Sequence, residues 1–446
     1  MDASEAKYIR MTTHPVEKLI AGFAVPSIVC MLMTSIYNMA DTWFVSRLNT
    51  QSIAAVGIVF SYMGVIQAFS FFFGHGSGNF ISRALGARKT DDAATMAATG
   101  LISAMAFSIL LALLCVPLMT PVLKLLGSTD TILPYARRYF SFILLGSPFI
   151  SGCLVLNNQM RLQGNAMLSM IGILSGGVLN IILDPLLIFV CGMGVSGAGL
   201  ATALSQMVCF FVMLRLCGRN GGIGIRPSRF RLDLAHAKEI AAGGLPSLAR
   251  QGLLFLSTIV LNNFASRYGD AAVAGFSVAT RVMSIANAIL IGFGQGFQPV
   301  CGFNYGAGLY GRLVKALNFC AVVMTGYCVV VGALGIIFAT PIISLFDGAD
   351  PEVMRIGALV LKYHCFSFPL CGVIILTNMF LQNIRRTWPA VLVAAARQGL
   401  FFIPAVLIGA LAWGMNGLVA AQPVSDLCAF CLSIPLLASA VRSLRK

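Results

Sequence analysis

Apolar runs near 20 residues long recur along the whole 446-residue chain, and no other feature limits its fold so strongly. A helix needs about 20 mainly apolar residues to cross the hydrocarbon core of a bilayer. The composition agrees, since 58% of the residues are hydrophobic and 10% are charged, whereas soluble domains carry about 25% charged residues. The runs predict an all-α polytopic membrane protein and argue against a very hydrophobic soluble core.

Twelve spans are expected. They cover residues 16–45, 52–80, 93–117, 132–160, 166–190, 196–216, 238–265, 271–300, 313–339, 352–382, 388–411 and 415–440. The start of the chain is polar and the first run is too long for a signal peptide, so we predict no cleaved leader. An even number of spans places both termini on one side of the membrane.

The lysines and arginines indicate which side that is. One set of connections holds most of the cations, including Arg83, Arg88, Arg161 and the arginines between 215 and 231. The opposite connections hold few, and one of them, FDGADPE at 346–352, is acidic. Because positively charged loops stay in the cytoplasm, we predict cytoplasmic termini. The net charge of +15 then reports membrane topology, and a nucleic-acid partner is not expected.

The 13 cysteines are mostly single and lie within apolar runs. CAFC at 428–431 is a CxxC motif, but it lies inside such a run, so core packing is the better interpretation. The pattern indicates neither a metal cage nor a disulfide framework.

A basic connection divides the chain into an N-terminal six-helix lobe (1–216), a cytoplasmic linker (217–237) and a C-terminal six-helix lobe (238–446). Short motifs recur between the lobes at an offset of about 220 residues, among them VPSI (25–28) with LPSL (245–248), FGHGSG (73–78) with GFGQG (292–296), and GVSGAGLATALS (194–205) with GMNGLVAAQPVS (414–425). Six spans per half give both lobes the same orientation. Transporters often contain such pseudo-symmetric repeats.

The repeat fails at its polar residues. Asp41 aligns with Leu261, Asn180 with Leu400, Asp184 with Pro404, and Thr202 with Gln422. An aspartate at the centre of a membrane helix costs about 2.5–3.5 kcal/mol on insertion scales. Such residues usually mark ion or proton paths. The first lobe is therefore expected to have a chemical task that the second lacks.

These residues fall at one predicted depth. Asp41 and Asp184 each lie about two turns from the outer end of a span, and Asn180 shares a helix face with Asp184. Thr202 lies at a similar depth, with Ala198 one turn away. Oxygen ligands of this kind suit hard cations such as Na⁺. Two neighbouring carboxylates require a cation or a proton. The alternative is that they share a proton or bond Asn180 and only tie helices together.

Pro26 lies about four turns before Asp41 in the same span. An interior proline removes a helical hydrogen bond and favours a kink. One hypothesis is that filling or neutralising Asp41 changes the bend of this span and reshapes the first-lobe cavity. The alternative is a static kink.

The motifs VPSI, YNMADTWFVSRL, ISRALGAR, VLNIILDPLLIF, GVSGAGLATALSQ and GFNYGAG together resemble the multidrug and toxic compound extrusion (MATE) family. The similarity covers essentially the whole chain and is greatest to the DinF-like and MepA-like bacterial branch. The resemblance implies two six-helix lobes in a V shape, alternating access, and export of amphipathic, often cationic compounds in exchange for Na⁺ or H⁺.

The resemblance also implies a site. In this branch the first-lobe cation site uses the positions of Asp41, Asn180, Asp184 and Thr202, with a carbonyl at the position of Ala198. Tyr37 and Asn157 match more peripheral members. Some branches place coupling acids in the seventh and eighth spans. Those spans contain no buried acid here, so a cation site of that type is not expected in the second lobe.

The second lobe has charges of its own. Arg250, Arg281 and Arg397 lie at a depth similar to that of Asp426. They form either a charge network in which Asp426 neutralises one arginine or, with the remaining arginines facing the central cavity, a positive wall that admits zwitterionic or anionic substrates.

The leading interpretation is a cation-coupled multidrug efflux transporter with no cofactor besides its coupling ion, Na⁺ or H⁺. The alternative is a flippase for lipid-linked oligosaccharides, or a polysaccharide exporter, from the same superfamily. No residue pattern supports an enzyme or a channel. We expect a monomer in the bacterial inner membrane whose partners are drug-like small molecules and the lipid bilayer.

Overall fold

The computed structural model describes residues 3–345 and 350–444, which form helices and no strands. The first-half helices are α1 (Ala3–Thr13), α2 (Val16–Ser46), α3 (Thr50–Gly86), α4 (Thr90–Cys115), α5 (Met119–Leu125), α6 (Leu133–Leu162), α7 (Ala166–Pro185) and α8 (Val195–Leu216). The second-half helices are α9 (Leu234–Ala265), α10 (Asp270–Gly306), α11 (Tyr310–Ile337), α12 (Ala339–Ser344), α13 (Pro351–Asn383), α14 (Thr387–Ala395) and α15 (Phe402–Leu444). Residues 346–349 of the predicted acidic connection lie outside this description.

The described helices provide the predicted twelve crossings. Eleven helical stretches are long and apolar enough to span a bilayer, and the last of them, Thr387–Leu444, is 58 residues long. At about 1.5 Å per residue such a stretch would be roughly 87 Å long, far more than one crossing of a core about 30 Å thick. Gly414, with φ 59° and ψ −134°, divides it into two spans. Helices α7 and α14 both continue into π-helical turns, Leu186–Val190 and Ala396–Leu400.

Local sequence signals account for where two of the helices begin. Asn49 precedes α3, and its side chain accepts a hydrogen bond of 2.7 Å from the Ser52 amide. Asp350 precedes α13 and accepts from the amides of Glu352 and Val353, with Pro351 in the first helical turn. These caps satisfy amides that have no partner within the helix.

The chain forms two compact units. The first comprises Val25–Gly244 with the N-terminal segment that ends at His14, and the second comprises Pro15–Ala24 with the chain from Leu245 onward. These units differ from the predicted lobes because α2 and α9 each divide, so residues 15–24 pack in the second unit and residues 234–244 in the first. Both divisions lie beside a helix-interior proline, Pro26 or Pro246.

Glycines allow these exchanged helix ends to pack closely. In the first unit, a methyl group on Gly76 of α3 would lie only 2.9 Å from the Cα of Ile240 in α9. In the second unit, a methyl group on Gly296 of α10 would lie 2.6 Å from the Ala24 amide nitrogen in α2. Backbone approach at small residues is a common way to pack helices in membranes.

A hydrophobic core of the first unit lies around α6. Tyr139, Phe140 and Ile143 are buried there against residues of α3 such as Val59 and Tyr62. Tyr62 and Phe140 pack edge to face, with ring centroids 4.8 Å apart. In contrast, apolar side chains such as Leu113, Val190 and Phe366 are exposed, as expected of surfaces that face lipid.

Two sequence expectations require correction. Cys153 of α6 and Cys209 of α8 form a disulfide, although the cysteine pattern predicted none. Their positions are 56 residues apart on separate helices, so only the packing reveals the pair. Arg161, counted above among the loop cations, is 2% exposed within the last turn of α6 and donates to the Asn158 side-chain oxygen at 2.6 Å.

Candidate cation site and the second-unit charge pair

The first unit brings together the two intramembrane carboxylates predicted above. Asp41 of α2 and Asp184 of α7 lie close enough for their charges to interact. The phenol of Tyr139, on α6, interacts with both carboxylates and with the hydroxyl of Thr202 on α8. Four helices therefore contribute to one polar cluster.

The cluster is secluded from solvent. Asp184 is 0% exposed, Asn180 2% and Thr202 6%. Asn180 precedes Asp184 by one helical turn, which places both on the same face of α7. Asp41 is half-buried, although its Oδ1 atom has no contact with solvent.

Several buried oxygens of this cluster lack a protein donor. Within the described residues, Oδ1 of Asp41, Oδ1 of Asn180 and both carboxylate oxygens of Asp184 have no hydrogen-bond partner. Burying such a group without compensation is costly. The donor set consists entirely of oxygens, as Na⁺ prefers, and a proton on a carboxylate would also reduce the charge. The residues present therefore fit a monovalent cation.

Two consecutive glycines permit this arrangement. A methyl group on Gly177 would lie 2.7 Å from the Met33 side chain on α2, and one on Gly176 would lie 2.7 Å from Cβ of Cys209 on α8. Because neither glycine has a side chain, α7 fits closely between α2 and α8.

Sequence reasoning missed two members of the cluster. One is Tyr139, which is 1% exposed. The other is Gln206, one turn after Thr202 on α8, whose side chain interacts with the phenol of Tyr37. The i, i+4 relation to Thr202 could have identified Gln206. Tyr139 has no such signal, since an aromatic residue in an apolar run resembles ordinary core.

The remaining predicted first-lobe residues occupy different places. Tyr37 lies one turn from Asp41, and Ala198 is buried one turn before Thr202. Asn157 is elsewhere, because its side-chain oxygen accepts from the hydroxyl of Ser169 near the start of α7. Ser169 is fifteen residues from Asp184, or roughly 22 Å along the helix. Pro26 is buried within α2 at a similar distance from Asp41.

In the second unit, Asp426 pairs with one of the three predicted arginines. Arg397 pairs with Asp426 through an Nε–Oδ1 contact of 2.8 Å, with side-chain exposures of 17% and 2%. Arg250 instead donates to the side-chain oxygen of Asn378 at 3.4 Å. Arg281 is exposed on α10.

The fold is that of known membrane transporters. A solved structure described as the outward-facing conformation of a multidrug resistance MATE transporter of the MOP superfamily superposes with a TM-score of 0.92 at 23% identity, over 98% of each chain. The Vibrio cholerae MATE transporter VcmN superposes with a TM-score of 0.90 at 23% identity, over 96% of this chain and 97% of that one. The chain therefore has the polytopic all-α fold of these proteins.

Sequence comparison narrows the class to a family. The MatE family profile matches residues 26–186 and 246–408, one segment in each half. The chain belongs to this family, whose members are transporters and not enzymes. It is 26% identical over 416 residues to the multidrug export protein MepA of Staphylococcus haemolyticus, covering 93% of this chain and 91% of that protein. It is also 26% identical to MepA of Staphylococcus aureus strain MSSA476 over 427 residues, covering 93% and 92%.

Proposed function

We propose that this protein exports amphipathic, drug-like small molecules, often cationic, in exchange for Na⁺ or H⁺ that enters through the Asp41–Asp184 cluster. The observation that carries the proposal is the group of buried oxygens on Asp41, Asn180 and Asp184 that have no hydrogen-bond partner among the described residues. Similarity to MepA, which is named a multidrug export protein, supports the choice of substrate class.

The cluster suits the coupling of ion entry to export, because its net charge depends on whether a cation or proton is bound. Two neighbouring carboxylates repel when both are ionised, so a cation or proton is favoured there. Occupancy changes which conformation is preferred only if the ion binds one conformation more tightly than the other. Asp41 lies on α2, which passes from the second unit to the first beside Pro26. We infer that cation binding at Asp41 changes the bend of α2 at this proline.

The proposal includes topology and assembly. The basic connections support cytoplasmic termini and insertion in the bacterial inner membrane. One chain supplies both six-helix units, so the proposed cycle requires no second copy, and we propose that a monomer suffices.

Proteoliposomes loaded with a fluorescent lipophilic cation test the function. A Na⁺ gradient and a proton gradient, each imposed alone, are expected to distinguish the coupling ion by driving or failing to drive uphill transport. Asp41→Asn is expected to abolish the ion-driven component, because the neutral amide no longer requires a cation. Asp130→Asn is the matched control, since that carboxylate is 86% exposed beside Lys124.

The outcome that contradicts the proposal is equally specific. If neither gradient drives transport and Asp41→Asn behaves like Asp130→Asn, then the cluster is a structural tie between helices.

Pro26→Ala tests the bend of α2 separately. Normal cation affinity combined with normal transport in this variant would exclude a role for the proline.

A further inference from the structure

The two halves contain polar clusters at corresponding places. Gly194 begins α8 with φ 58° and ψ −136°, and Gly414 begins the last span with φ 59° and ψ −134°. Counting from these matched glycines, Gln422 corresponds to Thr202 and Asp426 to Gln206. Asp426 therefore occupies the place of a residue in the first-unit cluster.

Arg397 corresponds to the glycine pair that makes room for the first-unit cluster. Helices α7 and α14 begin at Ala166 and Thr387, and this spacing places Arg397 at Gly176 or Gly177. In the first unit, a side chain at Gly177 would meet Met33 and Tyr37. In the second unit, the arginine side chain extends from this place to Asp426.

Asp426 is fully coordinated by protein groups. Its Oδ1 accepts from Nε of Arg397 at 2.8 Å and from the amide of Gln422 at 2.9 Å. Its Oδ2 accepts from the Ser367 hydroxyl at 2.6 Å and lies 3.7 Å from the Cys371 sulfur. The first-unit carboxylates show the opposite, with both Asp184 oxygens unpartnered among the described residues.

The backbone around Arg397 is also fixed. It lies in the π-helical turn Ala396–Leu400. The Ser425 hydroxyl donates to the carbonyl of Arg397 at 2.7 Å, and the Ser257 hydroxyl donates to that of Gln398. The backbone that carries the Arg397 side chain is thus bonded from two neighbouring helices, α15 and α9.

We propose that the Arg397 guanidinium is a covalently attached substitute for a coupling cation, and that it permanently fills a latent monovalent-cation site at Asp426. The second unit then contributes no ion to the transport cycle, and coupling is confined to the first unit. This conclusion rests on the proposed function for the meaning of coupling, but the latent site itself can be measured by binding alone.

The test uses purified full-length protein and radiolabelled Na⁺ at equilibrium, with proton uptake followed in parallel. The background variant carries Asp41→Asn and Asp184→Asn, which remove the first-unit carboxylates. Adding Arg397→Gly, the residue type found at the corresponding place, is expected to create saturable Na⁺ binding or new proton uptake. Adding Asp426→Asn as well is expected to abolish that gain. Methylguanidinium, which resembles the missing side chain, is expected to displace the bound Na⁺.

Each result of this binding experiment supports or overturns the proposal that Arg397 fills a latent cation site. A folded Arg397→Gly variant that gains neither Na⁺ binding nor proton uptake overturns the proposal. Na⁺ binding that persists in the background and requires Asp426 also overturns it, because the arginine would then not fill the site. If the unmodified protein neither binds Na⁺ nor takes up protons at its first-unit carboxylates, that result counts against the proposed function only, and the proposal for Arg397 stands.

A second variant keeps the test valid if Arg397→Gly fails to fold. Arg397→Met combined with Asp426→Asn removes the charges while retaining bulk, and it avoids an unpaired buried charge. Ion-driven transport and the range of exported compounds are expected to match those of the unmodified protein. If this variant folds and binds the coupling ion but exports a narrower range of compounds, Arg397 contacts substrate and the proposal is wrong.

Discussion

Gly194 and Gly414 adopt the same left-handed backbone conformation about 220 residues apart, and each precedes the last span of its half. Residues other than glycine rarely adopt this backbone conformation. It lets the chain reverse between two membrane helices within very few residues. In the second half, Gly414 is the residue with non-helical φ and ψ between the two spans of Phe402–Leu444.

Alanine at either glycine is expected to lower the free energy of unfolding by about 1–3 kcal/mol through backbone strain. Thermal melting in detergent measures the loss. Gly22→Ala is the control, because Gly22 lies inside α2 with no atom within 4 Å of a new methyl group. That substitution is expected to be neutral or to stabilise by up to about 1 kcal/mol. Equal melting temperatures for the alanine variants of Gly194, Gly414 and Gly22 would show that stability does not require the shared backbone conformation.

Substitutions of Asn180 and Asn157, the two asparagines that the sequence assigned to the cation site or its periphery, are expected to have different effects on ion affinity and stability. Asn180→Leu removes one of the unpartnered oxygens and is expected to raise the half-saturating concentration of the coupling ion about tenfold or more. Asn157→Ala removes the bond to Ser169 and is expected to cost about 1 kcal/mol of stability without changing ion affinity. Ion-dependent transport and melting curves separate the effects. A reversal of these roles would relocate the cation site.

The ion pair between Arg83 and Glu239 is expected to stabilise the first unit. Its N–O distance is 3.2 Å, and the side chains are only 13% and 16% exposed. A double-mutant cycle of alanine variants is expected to give a coupling free energy of about 1–3 kcal/mol. The same cycle for Arg88 and Glu5, which are 62% and 45% exposed, is expected to give about 0–0.5 kcal/mol. Similar values for both pairs would contradict an effect of burial.

Docking of the N-terminal helix α1 is expected to depend on pH through Lys7. Its ammonium nitrogen lies 3.0 Å from the Asn165 side-chain oxygen, and burial, with the Arg10 charge, lowers the pKa of Lys7 from 10.5 to about 7. The undocked lysine therefore binds more protons between pH 7 and 10.5, so docking strengthens as pH rises through this window and is weakest below pH 7.

Hydrogen exchange of residues 3–13, corrected for the intrinsic effect of pH on exchange, measures this docking. Protection is expected to increase from pH 7 to pH 10 in the unmodified protein. Lys7→Met cannot titrate and should show a flat profile across the same range. A profile that is the same in both proteins would assign the pH effect to another group.

Cys191 provides a test of topology. It is an exposed free cysteine between α7 and α8, a connection that the proposed topology places outside the cell. A membrane-impermeant maleimide added to intact cells, with the outer membrane permeabilised where one is present, is expected to label the protein. Cys191→Ser is expected to remove the labelling of intact cells. Labelling of the same variant in lysed cells measures how much signal comes from the other cysteines. Labelling of Cys191 only after lysis would invert the topology.

Much of the fold could be predicted because the thickness of the bilayer fixes how long each apolar run must be. The run at 93–117 became α4 (Thr90–Cys115), and the break expected near residue 412 occurs at Gly414. The acids at 41 and 184 were recognisable because charge inside a membrane is rare and expensive.

Other features depend on how helices rotate and pack, which apolar sequence does not specify. Tyr139 reaches the first-unit polar cluster only because α6 turns this face toward α8, and nothing in the neighbouring sequence indicates that rotation. Asn157 is a second example. The family resemblance matched it to a peripheral position of the site, and helix packing places its side chain against Ser169, much as its counterpart Asn378 donates to the carbonyl of Ala390 at 2.8 Å. Both asparagines tie adjacent helices together.

The exchange of helix ends at α2 and α9 has a consequence for biosynthesis. Residues 15–24 are among the first to leave the ribosome, but the unit in which they pack begins at Leu245. At about 5–20 residues per second, roughly 10–45 s pass before that unit starts to emerge. Helix α2 must wait in the membrane with one end unassembled, and the two halves expressed as separate polypeptides would each lack a piece of their own core.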